Sequence, residues 1–267
     1  TSKKEKTCLP LPGNCYLVTD TESTLRKRMK EDNYYIRSYS KNKPYSGYYV
    51  STKLWVGDYV NGETFEELGQ RATGIERIAV MRADVDNLGQ AFVRGFENEK
   101  NGSKYVTLSR TATFSRKLSM FFKYHINSLL KEGGYSILEE EAQMEKEDDR
   151  RNALIVYSGG DDIFIVGAWD DIIGFAVDLH DNLMEYSQDT LKISAGIGIY
   201  PSKYPISIMA RETGRLEEAA KSVEGKNAVA LFDEKYTFPW EEFIENVVEE
   251  KLYFIQKYFK VVDEKGK

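Results

Sequence analysis

Along residues 75–235, apolar positions fall into two alternating periods. Short β-branched or aromatic runs predict strands at 76–84, 153–158, 162–168, 192–200 and 228–233. Helical spacing of apolar positions predicts helices at 88–96, 105–131, 169–187 and 205–222. This order predicts an α+β domain: an antiparallel-rich sheet with helices on one face, the ferredoxin-like plan. Residues 1–15 read as a loose lead-in with Pro10, Pro12 and Gly13. Residues 16–74 predict a small α+β appendage, with a strand near Tyr16–Val18 and a charged helix near Glu22–Lys30. Two Tyr-rich strands flank the turn Lys43-Pro44-Tyr45-Ser46-Gly47, and the interleaved Lys41, Lys43 and Lys53 suit either a packed β-ribbon or contact with RNA. Downstream, Trp240, Phe243, Ile244, Val247, Leu252, Ile255 and Phe259 recur at helical spacing, predicting an amphipathic helix over 239–260. The expected division is an appendage (1–74), a central domain (75–235) and a C-terminal helix (236–267) leading to a further helical domain.

Two acidic motifs sit at predicted strand ends. Ser158-Gly159-Gly160-Asp161-Asp162 lies between Ala153-Leu154-Ile155-Val156-Tyr157 and Ile163-Phe164-Ile165-Val166, so it reads as the tight turn of a hairpin. Glycine permits a sharp turn and close approach of a ligand, and two exposed carboxylates at the tip suit divalent cations on a triphosphate. An ordinary Gly-Asp turn is the alternative. The second motif is the apolar strand that ends Asp84-Val85-Asp86-Asn87-Leu88-Gly89. Period-two geometry points Asp84 and Asp86 to one face and Val85 into the core. Carboxylates beside an apolar sheet are costly unless they bind something. The alternative is that Asp86 or Asn87 caps the following helix. Two acidic strand ends in one domain form the metal-holding arrangement of nucleotidyl-transfer palms.

Composition narrows the classes. The chain has 267 residues and a net charge of -6, which argues against a broad nucleic-acid-binding surface. No apolar run approaches the ~18 residues of a membrane span and no signal peptide is visible, so a cytoplasmic protein without a membrane partner is expected. Cys8 and Cys15 are the two cysteines, which suits a reducing compartment. They read as unliganded thiols or as half of a zinc site. The acidic run between Leu138 and Arg151 reads as a solvated loop. His125 and His180 lie in helical patterns without metal-pair or triad spacing. No P-loop or Rossmann fingerprint occurs, and the glycines of Gly196-Ile197-Gly198 belong to a strand.

Asp-Val-Asp-Asn-Leu-Gly, the Gly-Gly-Asp-Asp hairpin and Gly225-Lys226-Asn227-Ala228 occur in this order at compatible spacing, with Phe65-Glu66-Glu67-Leu68 and Gly74-Ile75-Glu76 upstream. Together they resemble the second palm domain of the large catalytic subunit of type III CRISPR interference complexes, in its Csm-type version. The resemblance covers roughly residues 45–235 and implies a GGDEF or nucleotidyl-cyclase-like palm. It implies magnesium or manganese held by Asp84 and Asp161, with Asp162 as a second ligand and a contribution from the Val85 carbonyl. With ATP as substrate, amides of Asn87, Leu88 and Gly89 would meet phosphate oxygens. Gly159 and Gly160 would leave room for the nucleotide, Ser158 would touch base or ribose, and Lys226 would neutralise the β- and γ-phosphates. A solvated turn lysine is the alternative for Lys226. The implied activity is synthesis of cyclic oligoadenylate second messengers on target-RNA binding. The implied partners are the first palm of the same subunit, the small subunit, the subunit that binds the crRNA 5′ end, and crRNA and target RNA through the complex. The resemblance places a nuclease domain outside this chain, and no His-Asp nuclease motif is read in it. Diguanylate cyclases are broader relatives, but here Asp162-Ile163 and Asn87-Leu88 replace their usual Glu-Phe and Phe-Lys. A diguanylate-cyclase-like enzyme and a non-catalytic, ATP-binding scaffold are the competing readings.

Overall fold

The computed structural model describes residues 8–12, 15–21, 23–24, 27, 37–42, 51–97, 102–138 and 150–258. The chain divides into two compact units, Thr1–Val56 and Gly57–Lys267. The boundary thus falls before the expected 74/75, because residues 57–74 pack with the larger unit. There the Tyr59 hydroxyl donates to the Arg151 carbonyl at 2.6 Å, and Leu68 is fully buried against Ile78 and Met209.

In the N-terminal unit, β1 (Cys8–Leu11) and β2 (Cys15–Val18) pair antiparallel, with Cys8 opposite Val18 and Cys15 opposite Leu11. The cysteines therefore occupy opposite ends of the ladder, about 10 Å apart at strand rise. β3 (Ser38–Lys41) and β4 (Ser51–Leu54) pair in parallel, which differs from a hairpin ribbon. The Asn42 side chain accepts from the Val56 N–H and donates to its carbonyl, both at 3.1 Å. The Lys53 ammonium sits 3.4 Å over the Trp55 ring, so this lysine is engaged within its own unit. Most of the expected helix near 22–30, the turn at 43–47, and the acidic run at 139–149 lie outside the described residues.

The larger unit is built on a six-stranded sheet of β5 (Ile78–Val85), β6 (Ala153–Ser158), β7 (Asp162–Ala168), β8 (Ile193–Tyr200), β9 (Ala228–Leu231) and β10 (Thr237–Pro239). Spatial order is β10-β9-β8-β5-β7-β6. β7 lies between β5 and β6 and runs antiparallel to both, the split β-α-β arrangement of the ferredoxin-like plan. β9 extends the sheet by pairing parallel to β8.

Helices cover both faces, not one as the sequence pattern predicts. On the first face lie α3 (Leu108–Met120), a π-helical turn (Phe121–His125), α4 (Ile126–Glu132) and α5 (Trp169–Ser187). Their Phe122, Ile126, Phe175, Leu179 and Leu183 join Ala79, Met81, Ala83 and Val85 of β5 in the main core. Each fully buried side chain of this size contributes roughly 1.5–3 kcal/mol. On the second face, α1 (Phe65–Gln70) and α6 (Ile206–Ser222) pack over Val80 and Tyr200. α6 approaches β8 closely enough that a Cβ on Gly196 would meet the Glu217 amide, the Leu216 Cβ and the Thr213 carbonyl.

The short helix α2 (Leu88–Arg94) follows β5. After β10 the chain turns into α7 (Trp240–Glu242), π-helical winding over Phe243–Leu252 and α8 (Tyr253–Tyr258), the predicted amphipathic segment. Trp240 and Phe243 close the main core, whereas Tyr253, Phe254, Ile255 and Tyr258 are exposed. Among the described residues no helix is long and apolar enough to cross a membrane.

Candidate functional site

Strand register joins the two acidic motifs. β5 and β7 pair antiparallel with Asp84 opposite Asp162, and the Val85 amide donates to the Asp161 carbonyl at 3.1 Å. Asp84 and Asp161, 77 positions apart, thus sit at adjoining ends of neighbouring strands. Burial first, then the charges of Asp84 and Asp162, push the Asp161 carboxyl above the usual aspartate value, with Lys221 opposing. The three carboxylates therefore stand within electrostatic reach of one another.

The turn needs Gly159 for space rather than for handedness, whereas Gly160 has room for a side chain. Neither Gly159 nor Gly160 adopts a left-handed backbone, although a sharp glycine turn is the expectation from sequence. A Cβ on Gly159 would instead collide with the Tyr157 hydroxyl and Asp162 Oδ1, and one on Gly160 would reach Ser119 Oγ at 3.7 Å. The Gly159 amide donates to the Asp162 carbonyl at 2.9 Å and closes the hairpin. A register shift between Ile155 and Tyr157 turns both Val156 and Tyr157 outward beside the tip. The charge of Asp162, burial, a hydrogen bond to Asp162 and the charge of Asp161 all raise the Tyr157 hydroxyl's pKa, so the phenol stays protonated beside the carboxylates.

On the opposite side Lys221 of α6 places its ammonium 2.6 Å from Asp84 Oδ2 and 2.6 Å from Glu217 Oε1, and Arg82 Nε lies 3.1 Å from Glu217 Oε2. Burial works to lower the Lys221 pKa, but hydrogen bonds and charges from Asp84 and Glu217 outweigh it and raise it overall. The spacing of Glu217 and Lys221, four positions apart and five before Lys226, was the available signal for this group.

The remaining predicted residues divide. Asp84 meets Lys221 of α6 and Asp86 meets Ser194 and the Asn227 amide, while Val85 is buried in the main core on the other side, as period-two geometry predicts. Asn87 stands at the start of α2 with φ 54° and makes no side-chain cap, so capping does not explain it. Its Oδ1 accepts from Lys226 Nζ at 2.9 Å. Lys226 is therefore drawn to the strand end and is not a free turn lysine. Leu88 packs against the main core, and a Cβ on Gly89 would enter open space. The Ser158 hydroxyl donates to the Phe122 carbonyl, which commits it to the π-helical turn and away from a ligand. His180 and Asp181, an adjacent His-Asp pair that spacing alone did not single out, share a 2.7 Å contact, and the imidazole stacks on Trp240. That packing makes the pair structural.

Among the described residues no group of three or more His, Cys, Asp or Glu side chains is arranged to cage a metal ion. The donor set at the strand ends is a pair of hard carboxylates with raised repulsion, and this fits magnesium. Magnesium is commonly held by one or two carboxylates plus substrate phosphates and water, not by an all-protein cage.

A split β-α-β sheet with acidic groups at adjoining strand ends defines a palm domain. The chain belongs to the Cas10/Cmr2 family, on its Csm-type side: the family model "Cas10/Cmr2, second palm domain" matches residues 77–230. The chain is 48% identical over 261 residues to the "CRISPR system single-strand-specific deoxyribonuclease Cas10/Csm1 (subtype III-A)" of Mycobacterium tuberculosis, covering 97% of this chain and 31% of that protein. It is 42% identical to the protein of the same description from Streptococcus thermophilus, covering 86% of this chain and 28% of that protein. Among solved structures it resembles a Csm1–Csm4 cassette in complex with cA4, with a TM-score of 0.66, 28% identity and coverage of 78% of this chain and 31% of that one. A similar cassette in complex with one ATP matches with a TM-score of 0.65, 28% identity, and 78% and 30% coverage. The chain thus spans about a third of the length of these curated relatives.

Proposed function

We propose that this palm binds ATP with a divalent cation and contributes one of two nucleotide sites for synthesis of cyclic oligoadenylates. The observation that carries the reading is the register placing Asp84 opposite Asp162, with the Val85 amide on the Asp161 carbonyl. Solved relatives in complex with cA4 and with ATP support it. Asp84 and Asp161 would hold the cation, with Asp162 and the Val85 carbonyl as further donors. A bound divalent ion would activate the 3′-hydroxyl and neutralise the leaving pyrophosphate. Lys226 and Lys221 supply positive charge for the triphosphate. Amides of Asn87, Leu88 and Gly89, at the start of α2, would meet phosphate oxygens. Open space at Gly160 would admit the nucleotide past the hairpin tip, whereas Gly159 is closed in by Tyr157 and Asp162. Partners on this reading are the first palm of a full-length subunit, a Csm4-like subunit as in the Csm1–Csm4 structures, the small subunit, and crRNA with target RNA. The deoxyribonuclease activity in the relatives' names is not assigned to this palm.

The test is calorimetric titration of ATP and GTP with magnesium, followed by product analysis in the full-length subunit. ATP is expected to bind more tightly than GTP. Asp84→Asn and Asp161→Asn should each weaken magnesium-dependent ATP binding about tenfold or more, or about 1.4 kcal/mol. In the full-length protein, Asp161→Ala with Asp162→Ala should abolish oligoadenylate formation while leaving the fold intact. Wild-type product levels from that double variant, or preference for GTP, would count against the reading.

A further inference from the structure

Asp86 is the second carboxylate of the strand-end motif, yet it is only 6% exposed. Its Oδ2 accepts from the Ser194 hydroxyl at 2.9 Å and from the Asn227 amide at 3.0 Å, and its own amide donates to the Lys192 carbonyl at 2.8 Å. Asn227 is in turn bonded through its carbonyl to the Trp240 amide at 3.1 Å. The Trp240 indole donates to the Ile193 carbonyl at 2.8 Å, on the residue that precedes Ser194 and pairs with Val85. Its ring stacks on His180 with centroids 4.9 Å apart and planes at 25°. Lys226, beside Asn227, reaches Asn87 beside Asp86. Two loops and the first residue of the C-terminal helical segment therefore converge on one buried carboxylate. Buried hydrogen bonds to an ionised group are among the stronger ones, and leaving such a carboxylate without donors is costly.

We infer that Asp86 is a positioning residue rather than a metal ligand. With Asn227 and Trp240 it forms a buried latch that couples the C-terminal helical segment to the strand end carrying Asp84. The inference rests on the nucleotide reading for its coupling arm only, since the latch itself is a property of the polypeptide. Movement of the segment that starts at Trp240 shifts Asn227, and Asn227 shifts Asp86 and Lys226 together.

Trp240 supplies a reporter. In a chain carrying Trp55→Phe and Trp169→Phe, Trp240 is the remaining tryptophan, because the chain has three. Without nucleotide, Asp86→Ala should raise acrylamide quenching of Trp240 about twofold or more, as local opening around the indole requires. Asp86→Asn, which keeps an acceptor oxygen, should restore parental quenching, and Ser194→Ala should fall between. With magnesium and ATP, the parent and Asp86→Asn should show a change in Trp240 emission that Asp86→Ala lacks, while Asp84→Asn should lose ATP binding itself. Equal quenching in all variants would overturn the latch. Calorimetric ATP binding in the parent with silent Trp240 emission would overturn the coupling. Loss of ATP binding in Asp86→Asn as complete as in Asp84→Asn would make Asp86 a ligand and overturn the assignment. Absence of ATP binding in every protein, with the quenching pattern intact, would remove the nucleotide reading and leave the latch standing. Should Asp86→Ala fail to fold by circular dichroism, the graded pair Ser194→Ala and Asp86→Asn decides the question.

Discussion

At the scale of single residues, two titrating groups act on stability with opposite sign. The Asp161 carboxyl is raised above its ordinary value of 3.8 by burial and by the charges of Asp84 and Asp162. The folded chain therefore binds a proton there more readily than the unfolded chain. That contribution is fully present below the unfolded value and lost as pH rises through the folded one. At neutral pH the ionised carboxylate is a liability in the metal-free chain. Asp161→Asn is expected to raise the melting temperature at pH 7 without metal, and the gain should disappear near about pH 3, where both forms are neutral. Magnesium with ATP should reverse the ranking. His180 runs the other way: burial lowers its value below 6.5, with Asp181 and Asn227 only partly offsetting this. Its contribution is present above the unfolded value and lost as pH falls through the folded one. His180→Gln should flatten the fall in melting temperature on the acid side of about pH 6.5. Thermal melts across pH, with and without metal, test both. An Asp161→Asn chain that melts lower at pH 7 would contradict the repulsion.

At the scale of elements, the hairpin strands 153–158 and 162–168 and the helix 169–187 were legible to the residue. Their apolar positions are dense and their ends are punctuated by Gly-Gly-Asp and by Ser187-Gln188. α6 was legible as a helix but not as cover for a second face. Its contact surface is mostly small or polar, with Thr213, Glu217 and Ala220 buried beside Met209 and Leu216, so periodicity gives the helix but not the sheet face it covers. The ion group of Arg82, Glu217, Lys221 and Asp84 depends on that contact, which is why Lys221 escaped notice. The glycines of β8 look like weak strand residues from sequence. Gly196 in fact lets α6 lie backbone-close to β8, which holds Lys221 over Asp84. Gly196→Ala should therefore cost about 1–3 kcal/mol, the range for overpacking a fitted contact. It should also weaken magnesium-dependent ATP binding, because α6 must move outward. Urea denaturation reads the first effect and calorimetry the second; an unchanged midpoint would show that the contact yields freely.

At the scale of the whole molecule, the acidic hairpin joins β6 and β7, and the site lies at the strand-end edge of the sheet, where the interior strands β5 and β7 meet. On the proposed reading an acceptor adenosine must be presented from another surface. Alignment of that kind can account for ~7–11 kcal/mol of a bimolecular barrier. The chain alone should bind ATP yet form product slowly, and supplying the first palm should raise the rate far more than the affinity. Calorimetry beside product analysis tests this, and full-rate synthesis by a monomeric chain would contradict it. A last consequence follows from three residues around that edge. Asn87, Lys226 and Asn227 have φ of 54°, 53° and 52°. Side chains other than glycine hold such conformations at a cost of order 1–3 kcal/mol each. Glycine at Asn87 or Lys226 would relax the backbone, at the same stroke removing the side-chain oxygen or the ammonium of the contact between them. The corner thus holds backbone strain in exchange for a fixed contact between the two loops that flank the strand ends.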